Sequence, residues 1–518
     1  MQWQNLISGC FISWLAMSHQ IETYRILAIF PTPSISHQVV FRPVMQELAT
    51  RGHHITLLTP NPFEATENIT IIDLNHLYED WKKIDFAETA DLNPFAMIEL
   101  LLTVMRGMMT KILEIDEVKP ILHGNVEKFD VVISEFLGYT PMYAFAHLYN
   151  VPLIGMTSLD MSPSEHASIG NLVHPILHPH LIFPFYGDLN FFERVASVYM
   201  SWIMDNIFTP MFGRKLDQVI FKYFGDSYPN SYELTRSVSL AIVNAHPALG
   251  FTRPIVPTTI QVGLLHIQPP KPLPSDIDSY MSKSKHGVIY FSLGSNVKSS
   301  CLKKNHFDTF LGVFKELEYD IIWKFENETM QNKPNNVMIR KWLPQQDLLA
   351  HPNLKLFITH GGQQSMEEAI DRGIPLLCIP FFGDQETNSK KIEHLGIGRR
   401  LLLADLNPIN FKALVHEVIN HAKYKQKIIE LRDVVKDSPL SPKDMAAWWI
   451  EYTIRHNGTR HLRYPGLGFP NWKYYFVDVI IFTITILSIF CVLIFISIRK
   501  LLKYCKFIKK DEKKIKVK

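Results

Sequence analysis

Cysteine is scarce in this chain, with five residues among 518. Cys10 and Cys491 lie in apolar end segments and Cys505 lies in a basic tail, so only Cys301 and Cys378 remain for the body. The sequence therefore excludes a disulfide-rich scaffold and permits at most one internal disulfide. It also has no cysteine spacing that is typical of a metal site.

Charge is low as well, at 20% of residues, whereas 47% are hydrophobic, which excludes a disordered chain. The length allows two or three domains. The net charge is +3, but residues 499–518 alone carry +8, so the remaining 498 residues carry −5. A mildly acidic body with a basic tail gives no reason to expect a nucleic-acid partner.

Two apolar segments at the ends predict a membrane-anchored, luminal protein. A short apolar run ends at Ala16-Met17-Ser18, which predicts a signal peptide over residues 1–18, with a buried N-terminal strand or helix as the alternative. Val479–Ile498 has no charged residue and is long enough to cross about 30 Å of hydrocarbon, so we expect a transmembrane helix over residues 476–498. The basic tail at 499–518 then lies in the cytosol and the body in the lumen, as a single-pass type I protein.

Signals for compartment and modification follow from that topology. Lys514 and Lys516 stand at the spacing of a retrieval signal for the endoplasmic reticulum, although a plain basic stop-transfer tail would look the same. A luminal body also makes Asn68, Asn327 and Asn457 candidate glycosylation sites, because each begins an Asn-x-Thr triplet.

The body has two α/β patterns. In the first half, strands are predicted at residues 25–30, 54–58 and 130–134. Between the first two, apolar residues from Phe41 to Leu48 recur at helical spacing, and Gly52 suits the helix end. Strand, helix, strand is the pattern of a doubly wound parallel sheet.

The pattern restarts after a proline-rich joint. Six prolines from Pro254 to Pro274 predict a linker over residues 254–284, and four strand patterns follow, at residues 287–292, 320–323, 354–359 and 375–380. We therefore predict two Rossmann-like domains facing across a cleft, at residues 19–253 and 285–440, with C-terminal helices and a juxtamembrane segment at residues 441–475. Long apolar helices are predicted at residues 97–113 and 192–224. Three positions are open for them: in the hydrophobic core, around an acceptor pocket, or on the membrane surface.

Residues 342–385 carry the pattern of a nucleotide-sugar site. A strand ends at Thr359, and Gly361 and Gly362 allow a tight turn before a helix that begins near Gln364. The free N–H groups and the dipole at such a helix start suit a diphosphate. Other side chains supply diphosphate donors (Ser295, His360, Ser365), a flat face for the base (Trp342) and acceptors for ribose or sugar hydroxyls (Glu368, Asp384, Gln385).

This stretch resembles the signature of the UDP-glycosyltransferase family of the GT-B fold, including Trp342-Leu-Pro-Gln345 and Thr359-His-Gly-Gly-Gln-Gln-Ser365. Further segments resemble the same family along almost the whole chain: Asn244–Gly250, Val262–Gly263, Phe291–Ser295, Trp448–Tyr452 and His461–Arg463. The resemblance is greatest to the arthropod branch, whose usual donor is UDP-glucose. It implies transfer of a hexose from a UDP-sugar to a small lipophilic acceptor, in detoxification or hormone conjugation.

The resemblance also implies roles for single residues. Uracil stacks on Trp342, Glu368 binds ribose, and Asp384 and Gln385 bind the sugar. The diphosphate is bound by Ser295, by His360 and by the turn from Gly361 and Gly362 through Gln364 to Ser365, and Gln345 and Lys324 belong to the same donor site. The chain departs from the family at two of these positions, because Asn often stands in place of Gln364 and Arg in place of Lys324.

A catalytic base is expected at the first half of the chain. Transfer to an alcohol needs a group that takes the hydroxyl proton, and His37 lies after the first strand, at a helix start that disfavours imidazolium. Glu135 follows the strand at 130–134, on the same edge of a parallel sheet, where it can orient the imidazole. By resemblance His37 is the family's base, and Glu135 stands where many members have Asp. Direct displacement would invert the anomeric centre.

No metal or other cofactor is predicted, and the UDP-sugar is a co-substrate. Asp276-Ile-Asp278 has the letters of a metal-binding motif, but it lies beside the proline linker and not after a strand. Two other functions stay open: a catalytically silent membrane protein that binds lipophilic molecules, and a transferase that acts on a membrane lipid. A homo-oligomer is compatible with the sequence.

Overall fold

The computed structural model describes residues 22–63, 66–84 and 93–515. The predicted signal peptide and Lys516 lie outside these residues. The chain divides into two compact units, with the second beginning at Tyr464.

The first unit contains two parallel sheets. The first sheet has seven strands in the order β3-β2-β1-β4-β5-β6-β7. Its strands are β1 (Arg25–Ile29), β2 (His54–Thr59), β3 (Ile69–Asp73), β4 (Val131–Glu135), β5 (Leu153–Thr157), β6 (Leu240–Val243) and β7 (Thr259–Gln261). The order reverses between β1 and β4, and this is the point where open α/β sheets bind ligands.

The second sheet has six strands in the order β10-β9-β8-β11-β12-β13. Its strands are β8 (Val288–Ser292), β9 (Asp320–Lys324), β10 (Val337–Arg340), β11 (Leu354–Thr359), β12 (Leu376–Cys378) and β13 (Gly398–Arg400). Here the order reverses between β8 and β11, so this sheet has a ligand-binding edge of its own.

Helices cover both faces of each sheet. In the first unit they are α1 (Ile35–Thr50), α2 (Tyr78–Trp81), α3 (Pro94–Leu113), α4 (Lys119–Leu122), α5 (Thr140–Tyr149), α6 (Pro163–Ile169), α7 (Phe191–Ile203), α8 (Thr209–Phe224), α9 (Ser231–Arg236), α10 (Ser275–Lys283), α11 (Lys304–Glu316), α12 (Gln345–Leu349), α13 (Gln363–Arg372), α14 (Gln385–His394), α15 (Pro408–Asn420), α16 (Ala422–Lys436) and α17 (Pro442–Arg455). A π-helical turn, Met204–Phe208, joins α7 to α8. Short 3-10 turns occur at Asn75–Leu77, Ser299–Cys301, Leu403–Asp405 and Arg460–Leu462.

The central strands are apolar because both of their sides are covered. All five residues of β4 and of β8 are buried, and each sheet has one apolar core on either face. The predicted apolar face of α1 is buried against the first sheet, and Gly52 just beyond this helix has a φ of +93°.

The last helix of the first unit returns to the first sheet. Ala446, Ala447 and Ile450 of α17 pack in the same core as α1. The Arg51 guanidinium also donates to Asp444 Oδ1 at 3.1 Å and to Glu451 Oε2 at 3.3 Å. Helix α17, which follows the second sheet in sequence, therefore packs against one face of the first sheet.

The proline-rich linker is shorter than the predicted 254–284. Residues 259–261 form edge strand β7, and residues 275–283 form α10. The prolines fall into two groups, before residue 258 and after residue 268, which leaves a proline-free segment that pairs with β6. Cys301 and Cys378 are both free, so the one internal disulfide that the sequence permitted does not form.

The second unit contains 3-10 turn Pro465–Gly468, α18 (Asn471–Tyr474) and the 39-residue helix α19 (Val477–Ile515). Within the described residues, Val477–Lys506 is the one stretch long and apolar enough to cross a membrane. Its apolar side chains are exposed, which a core helix would not allow. The helix begins within one residue of the predicted start at 476 and supports membrane anchoring.

Candidate functional site

The switch points of both sheets open onto one cavity of about 1550 Å³. From the first sheet, it is lined by Thr32 of the loop after β1, by His37 in the first turn of α1, and by residues 136–140 after β4. From the second sheet, it is lined by Gly294–Asn296 after β8 and by the turn at the start of α13 after β11. Both predicted half-sites therefore face the same space.

His37 and Glu135 meet at the first switch point. His37 Nδ1 lies 2.9 Å from Glu135 Oε1, where His37 is in the first turn of α1 and Glu135 is the last residue of β4. The Glu135 side chain is fully buried, and its other oxygen accepts the Thr32 N–H at 3.1 Å. The His37 side chain stays 16% exposed on the cavity. A buried carboxylate on Nδ1 leaves Nε2 as the nitrogen that can take a proton.

Ser158 is a third member of this cluster, and it was not among the predicted residues. Its Oγ lies 2.7 Å from the same His37 Nδ1. It follows β5, which pairs with β4, so its position next to Glu135 is set by the strand order. The sequence signal is weak, because β5 is short and contains Gly155.

The turn after β11 packs closely around His360. Gly294 has a φ of +79°, and a Cβ there would lie 2.5 Å from His360 Cε1. A Cβ at Gly362 would lie 2.7 Å from His360 Nε2, and one at Gly361, with a φ of +87°, would overlap the Cys378 sulfur. The three glycines are therefore required by close approach to the ring and the sheet. Gly362 is the N-cap residue of α13, so the helix start faces the cavity at this turn.

His360 is electrically neutral at physiological pH. Burial, followed by the charge of Lys324, lowers the pKa of His360 to about 4. The ring therefore offers the cavity a hydrogen-bond donor without a positive charge.

A second polar group lies beside Trp342, which is 59% exposed on the cavity. Glu368 accepts from Gln345 Nε2 at 2.6 Å and from Gln346 Nε2 at 3.1 Å. Gln345 Nε2 also lies 3.1 Å from Ser365 Oγ. Three predicted residues, Gln345, Ser365 and Glu368, thus form one hydrogen-bonded group with Gln346, and the group lines the same cavity as Trp342.

Asp384 and Gln385 lie at the start of α14. Gln385 Oε1 accepts the N–H groups of Phe381 and Phe382 at 2.9 and 3.2 Å, which fixes the loop after β12. Burial raises the pKa of the Asp384 carboxyl, whereas the Asn388 hydrogen bond and the charges of Lys391 and His37 act in the opposite direction. Asp384 and His37 line the same cavity.

Two residues of the predicted UDP-sugar site form hydrogen bonds with other parts of the protein. Lys324 Nζ donates to Glu326 Oε1 at 3.1 Å, and Gln364 Nε2 donates to the Ser158 carbonyl at 2.9 Å. Both residues still line the cavity, together with Ser295. Gln364 therefore binds the first half of the chain, a contact that the sequence did not predict.

Comparison with known proteins gives the family. A family model described as "UDP-glucoronosyl and UDP-glucosyl transferase" matches residues 26–515. The chain belongs to this UDP-glycosyltransferase family. It is therefore an enzyme that transfers a sugar from a UDP-sugar, and the predicted family is confirmed.

Relatives match this UDP-glycosyltransferase over nearly its whole length. UDP-glycosyltransferase UGT5 of Dactylopius coccus is 33% identical, covering 93% of each chain. UDP-glucosyltransferase 2 of the same insect is 32% identical, covering 95% of this chain and 96% of its own. Among solved structures, the glycotransferase of kitacinnamycin aligns with a TM-score of 0.57 at 18% identity, covering 83% of this chain and 99% of that one. This likeness confirms the predicted GT-B fold.

The inserted helices of the UDP-glycosyltransferase contribute both to the core and to the cavity. Met108, Met109 and Ile112 of α3 are buried in the core of the first sheet. Other residues of the same insertions line the cavity: Ile98, Leu101 and Leu102 of α3, Val198 and Trp202 of α7, Met204 and Phe208 of the π-helical turn, and Pro210 and Phe212 of α8. Apolar residues outnumber polar ones on this side of the cavity, which the same insertions also line with Ser201, Asp205, Asn206, Thr209, Arg214 and Asp217.

The structure describes all three glycosylation triplets. Asn327 and Asn457 are exposed, whereas Asn68 is half-buried and its Nδ2 donates to the Ala49 carbonyl at 3.1 Å. Exposure favours the first two as acceptors for a glycan.

Proposed function

We propose that this UDP-glycosyltransferase transfers glucose from UDP-glucose to a hydroxyl of a small lipophilic acceptor, with inversion. The observation that carries the proposal is the His37–Glu135 pair, which opens onto the same cavity as the α13 helix start. A base from the first half of the chain and an anion-binding turn from the second half, both lining one cavity, suit attack and departure at a single carbon.

The proposed reaction is a direct displacement. The acceptor oxygen bonds to the anomeric carbon while its proton moves to His37 Nε2, and Glu135 stabilises the imidazolium that forms. The bond from the anomeric carbon to the diphosphate oxygen breaks, and UDP leaves with the electron pair. Ser295, His360, Ser365 and the α13 N–H groups stabilise the charge on that oxygen. The product is a β-glycoside from an α-linked donor.

A neutral hexose is favoured by the charge at the sugar end of the cavity. Asp384 lies there, and a uronic acid would bring a second carboxylate against it. The name of the relative UDP-glucosyltransferase 2 supports the same donor. We place uracil on Trp342 and ribose on Glu368 with Gln345, which leaves Asp384 and Gln385 for the sugar hydroxyls. Lys324 and Gln364 complete the wall around the diphosphate.

A lipophilic acceptor is favoured by the apolar wall of α3, α7 and α8. Burial of apolar surface contributes about 25 cal/mol per Å² to binding, so shape and hydrophobicity can select acceptors without many polar contacts.

A panel assay tests the proposed function. Microsomes that express the full chain are given UDP-glucose, UDP-glucuronic acid or UDP-galactose with a set of phenols and hydroxylated terpenoids. We expect glucosides from UDP-glucose at rates far above the other donors, and a β-linkage by proton NMR. Retention of the α-linkage would exclude the displacement, and a higher rate with UDP-glucuronic acid would exclude the assigned donor.

Donor affinity should depend on pH through Glu368. Burial raises the pKa of this carboxyl to about 7, while hydrogen bonds from Gln345 and Gln346 lower it. Neighbouring His266 is neutral, because burial lowers its pKa to about 4. A ribose hydroxyl donates a stronger hydrogen bond to the carboxylate than to the neutral acid, so the Kd of UDP-glucose should rise from pH 8 to pH 6, by at most roughly tenfold. Calorimetry without acceptor measures this, and Glu368→Gln should flatten the curve; an unchanged curve in that variant would assign the titration elsewhere.

Activity should survive EDTA. The negative charge on the departing diphosphate is met by fixed donors at the α13 helix start, which are the proposed replacement for a metal ion. We expect the glucosylation rate in 5 mM EDTA to stay within about twofold of the rate with magnesium. Complete loss in EDTA that manganese restores would contradict this assignment.

The topology prediction follows from the second unit. We propose that the first unit lies in the lumen of the endoplasmic reticulum, that the charge-free stretch Val479–Ile498 of α19 crosses the membrane, and that the basic tail at residues 499–518 faces the cytosol. Protease added to sealed microsomes should then remove about twenty residues and leave the catalytic unit intact. Digestion of the catalytic unit without detergent would show that this unit faces the cytosol. Removal of a glycan from Asn327 or Asn457 by a glycosidase would support the luminal orientation.

A further inference from the structure

The loop after β5 lies between the two halves of the active site. Ser158 is buried, at 2% exposure, and its side chain and backbone have different partners. Its Oγ lies 2.7 Å from His37 Nδ1, while its carbonyl accepts from Gln364 Nε2 at 2.9 Å and from Asn244 Nδ2 at 3.1 Å. One residue thus touches both the base and the helix that begins at the diphosphate turn.

We propose that Ser158 is a positioning residue for His37, and that the contact from Gln364 to the Ser158 carbonyl couples helix α13 to the orientation of that base. The proposal deepens the proposed function and rests on His37 as the base. Neither residue touches the reacting atoms in this role; Gln364 acts through Ser158, and Ser158 acts through the imidazole.

Hydrogen bonding around one ring nitrogen supports the role of Ser158. When Nε2 is free to take a proton, the hydrogen is on Nδ1, where it faces both Glu135 Oε1 at 2.9 Å and Ser158 Oγ at 2.7 Å. A shared hydrogen bond of this kind restrains rotation of the ring more than a single acceptor would. The aim of Nε2 at the acceptor hydroxyl depends on that rotation, and small misplacements of a catalytic group lower rates strongly.

The length of Gln364 supports the coupling. Its side chain is buried at 8% exposure and reaches from the second residue of α13 to the loop after β5. The family often has the shorter Asn here, so the extra methylene provides the reach that this contact uses. Asn244, which is fully buried after β6, holds the same carbonyl from the first sheet. Movement of α13 relative to the first sheet therefore acts on the Ser158 loop.

Single substitutions test the positioning role in the full membrane-bound chain. Ser158→Ala should lower kcat about tenfold, as expected for loss of a hydrogen bond to a group that becomes charged, while the KM for UDP-glucose stays within about twofold. Ser158→Thr keeps the hydroxyl and should retain most of kcat, and Ser158→Cys, with its weaker thiol, should fall between them. Calorimetric measurement of UDP-glucose affinity checks that each variant is folded. If Ser158→Ala is not folded, the comparison of kcat between Ser158→Thr and Ser158→Cys tests the role of the hydroxyl.

A double-mutant cycle tests the coupling. Gln364→Met keeps the length but removes the donor, and its effect on kcat should be clearly smaller in the Ser158→Ala background than in the wild type. Thr387→Val is the matched control, because Thr387 also donates from the second half to backbone carbonyls of the first half, at 2.9 Å to Leu181 and 2.7 Å to Phe183. Its effect should multiply independently with that of Ser158→Ala.

Three outcomes would overturn the inference. The first is an unchanged kcat in Ser158→Ala. The second is a raised KM for UDP-glucose in Ser158→Ala with kcat intact, which would make Ser158 a sugar contact. The third is independent effects of Gln364→Met and Ser158→Ala on kcat. His37→Ala in the same preparation separates this failure from failure of the proposed function. Loss of activity in that variant would leave His37 as the base, whereas retained activity would remove both proposals.

Discussion

His37→Ala should lower kcat for glucosylation by about 10²–10⁴-fold while UDP-glucose still binds. The imidazole is the one group of the His37–Glu135–Ser158 cluster that can take a proton toward the cavity, because its Nδ1 faces two oxygens inside the protein. An acceptor hydroxyl without a base must lose its proton to water. Initial rates at saturating donor and acceptor, together with calorimetric binding of UDP-glucose, measure the two parts of this result.

Glu135→Gln is the matched variant for the same cluster. The amide keeps one oxygen that can accept from His37 Nδ1, but it puts an NH2 group opposite the Thr32 N–H and removes the negative charge that stabilises the imidazolium. We expect a smaller loss of kcat than in His37→Ala, with donor affinity unchanged. A rate near that of the wild type in His37→Ala would remove this residue from the mechanism, and a larger loss in Glu135→Gln than in His37→Ala would assign the base to Glu135.

The sequence predicted the pair from two sources, the resemblance to the family, which marks His37 as its base, and the geometry of parallel sheets, which is general. The carboxyl ends of β1 and β4 are adjacent in the switch-point order, so residues just beyond them meet regardless of the ninety-eight positions that separate them. The helix from Gln363 to Arg372 was predictable for a similar reason, since a strand pattern, two glycines and a later Gly373 mark its start and end. Local patterns of this kind place backbone elements well.

The contacts of Ser158 and Gln364 were not predictable in the same way. They depend on how α13 of the second half lies against the loop after β5, and no local pattern in either segment reports that distance. The linker was misjudged for a related reason: β7 has only three residues, and prolines on both sides hide a strand that exists because β6 offers it an edge. These contacts and this strand are thus determined by packing and strand pairing, which composition and local pattern do not report.

The inserted helices are an intermediate case. Their apolar faces predicted burial, but a face that packs on a core and a face that lines a ligand cavity have the same periodicity. In the structure α3 does both, with Met108 in the core and Leu101 on the cavity. We therefore expect acceptor selectivity to reside in helices whose sequence pattern is indistinguishable from that of ordinary core.

His360→Ala should lower kcat/KM for UDP-glucose about a hundredfold, which corresponds to roughly 3 kcal/mol for one donor removed from a buried anion site. The His360 ring lies so close to Gly294 and Gly362 that a side chain at either glycine would overlap it. The ring is therefore held in place, and its N–H has a fixed direction. The diphosphate is present in both the ground state and the transition state, so UDP affinity should fall together with turnover. Steady-state kinetics and calorimetry with UDP measure the two effects.

The charge state of His360 decides how this loss should depend on pH. Since burial and the charge of Lys324 lower the pKa of the ring to about 4, it is neutral from pH 6 to pH 8 and acts as a dipolar donor. The ratio of wild-type to His360→Ala activity should therefore be constant across that range, and His360→Gln, which keeps an N–H donor, should recover part of the loss. A ratio that grows tenfold per unit toward low pH would mean that the ring binds the diphosphate as a cation, and full activity in His360→Ala would move the diphosphate away from this turn.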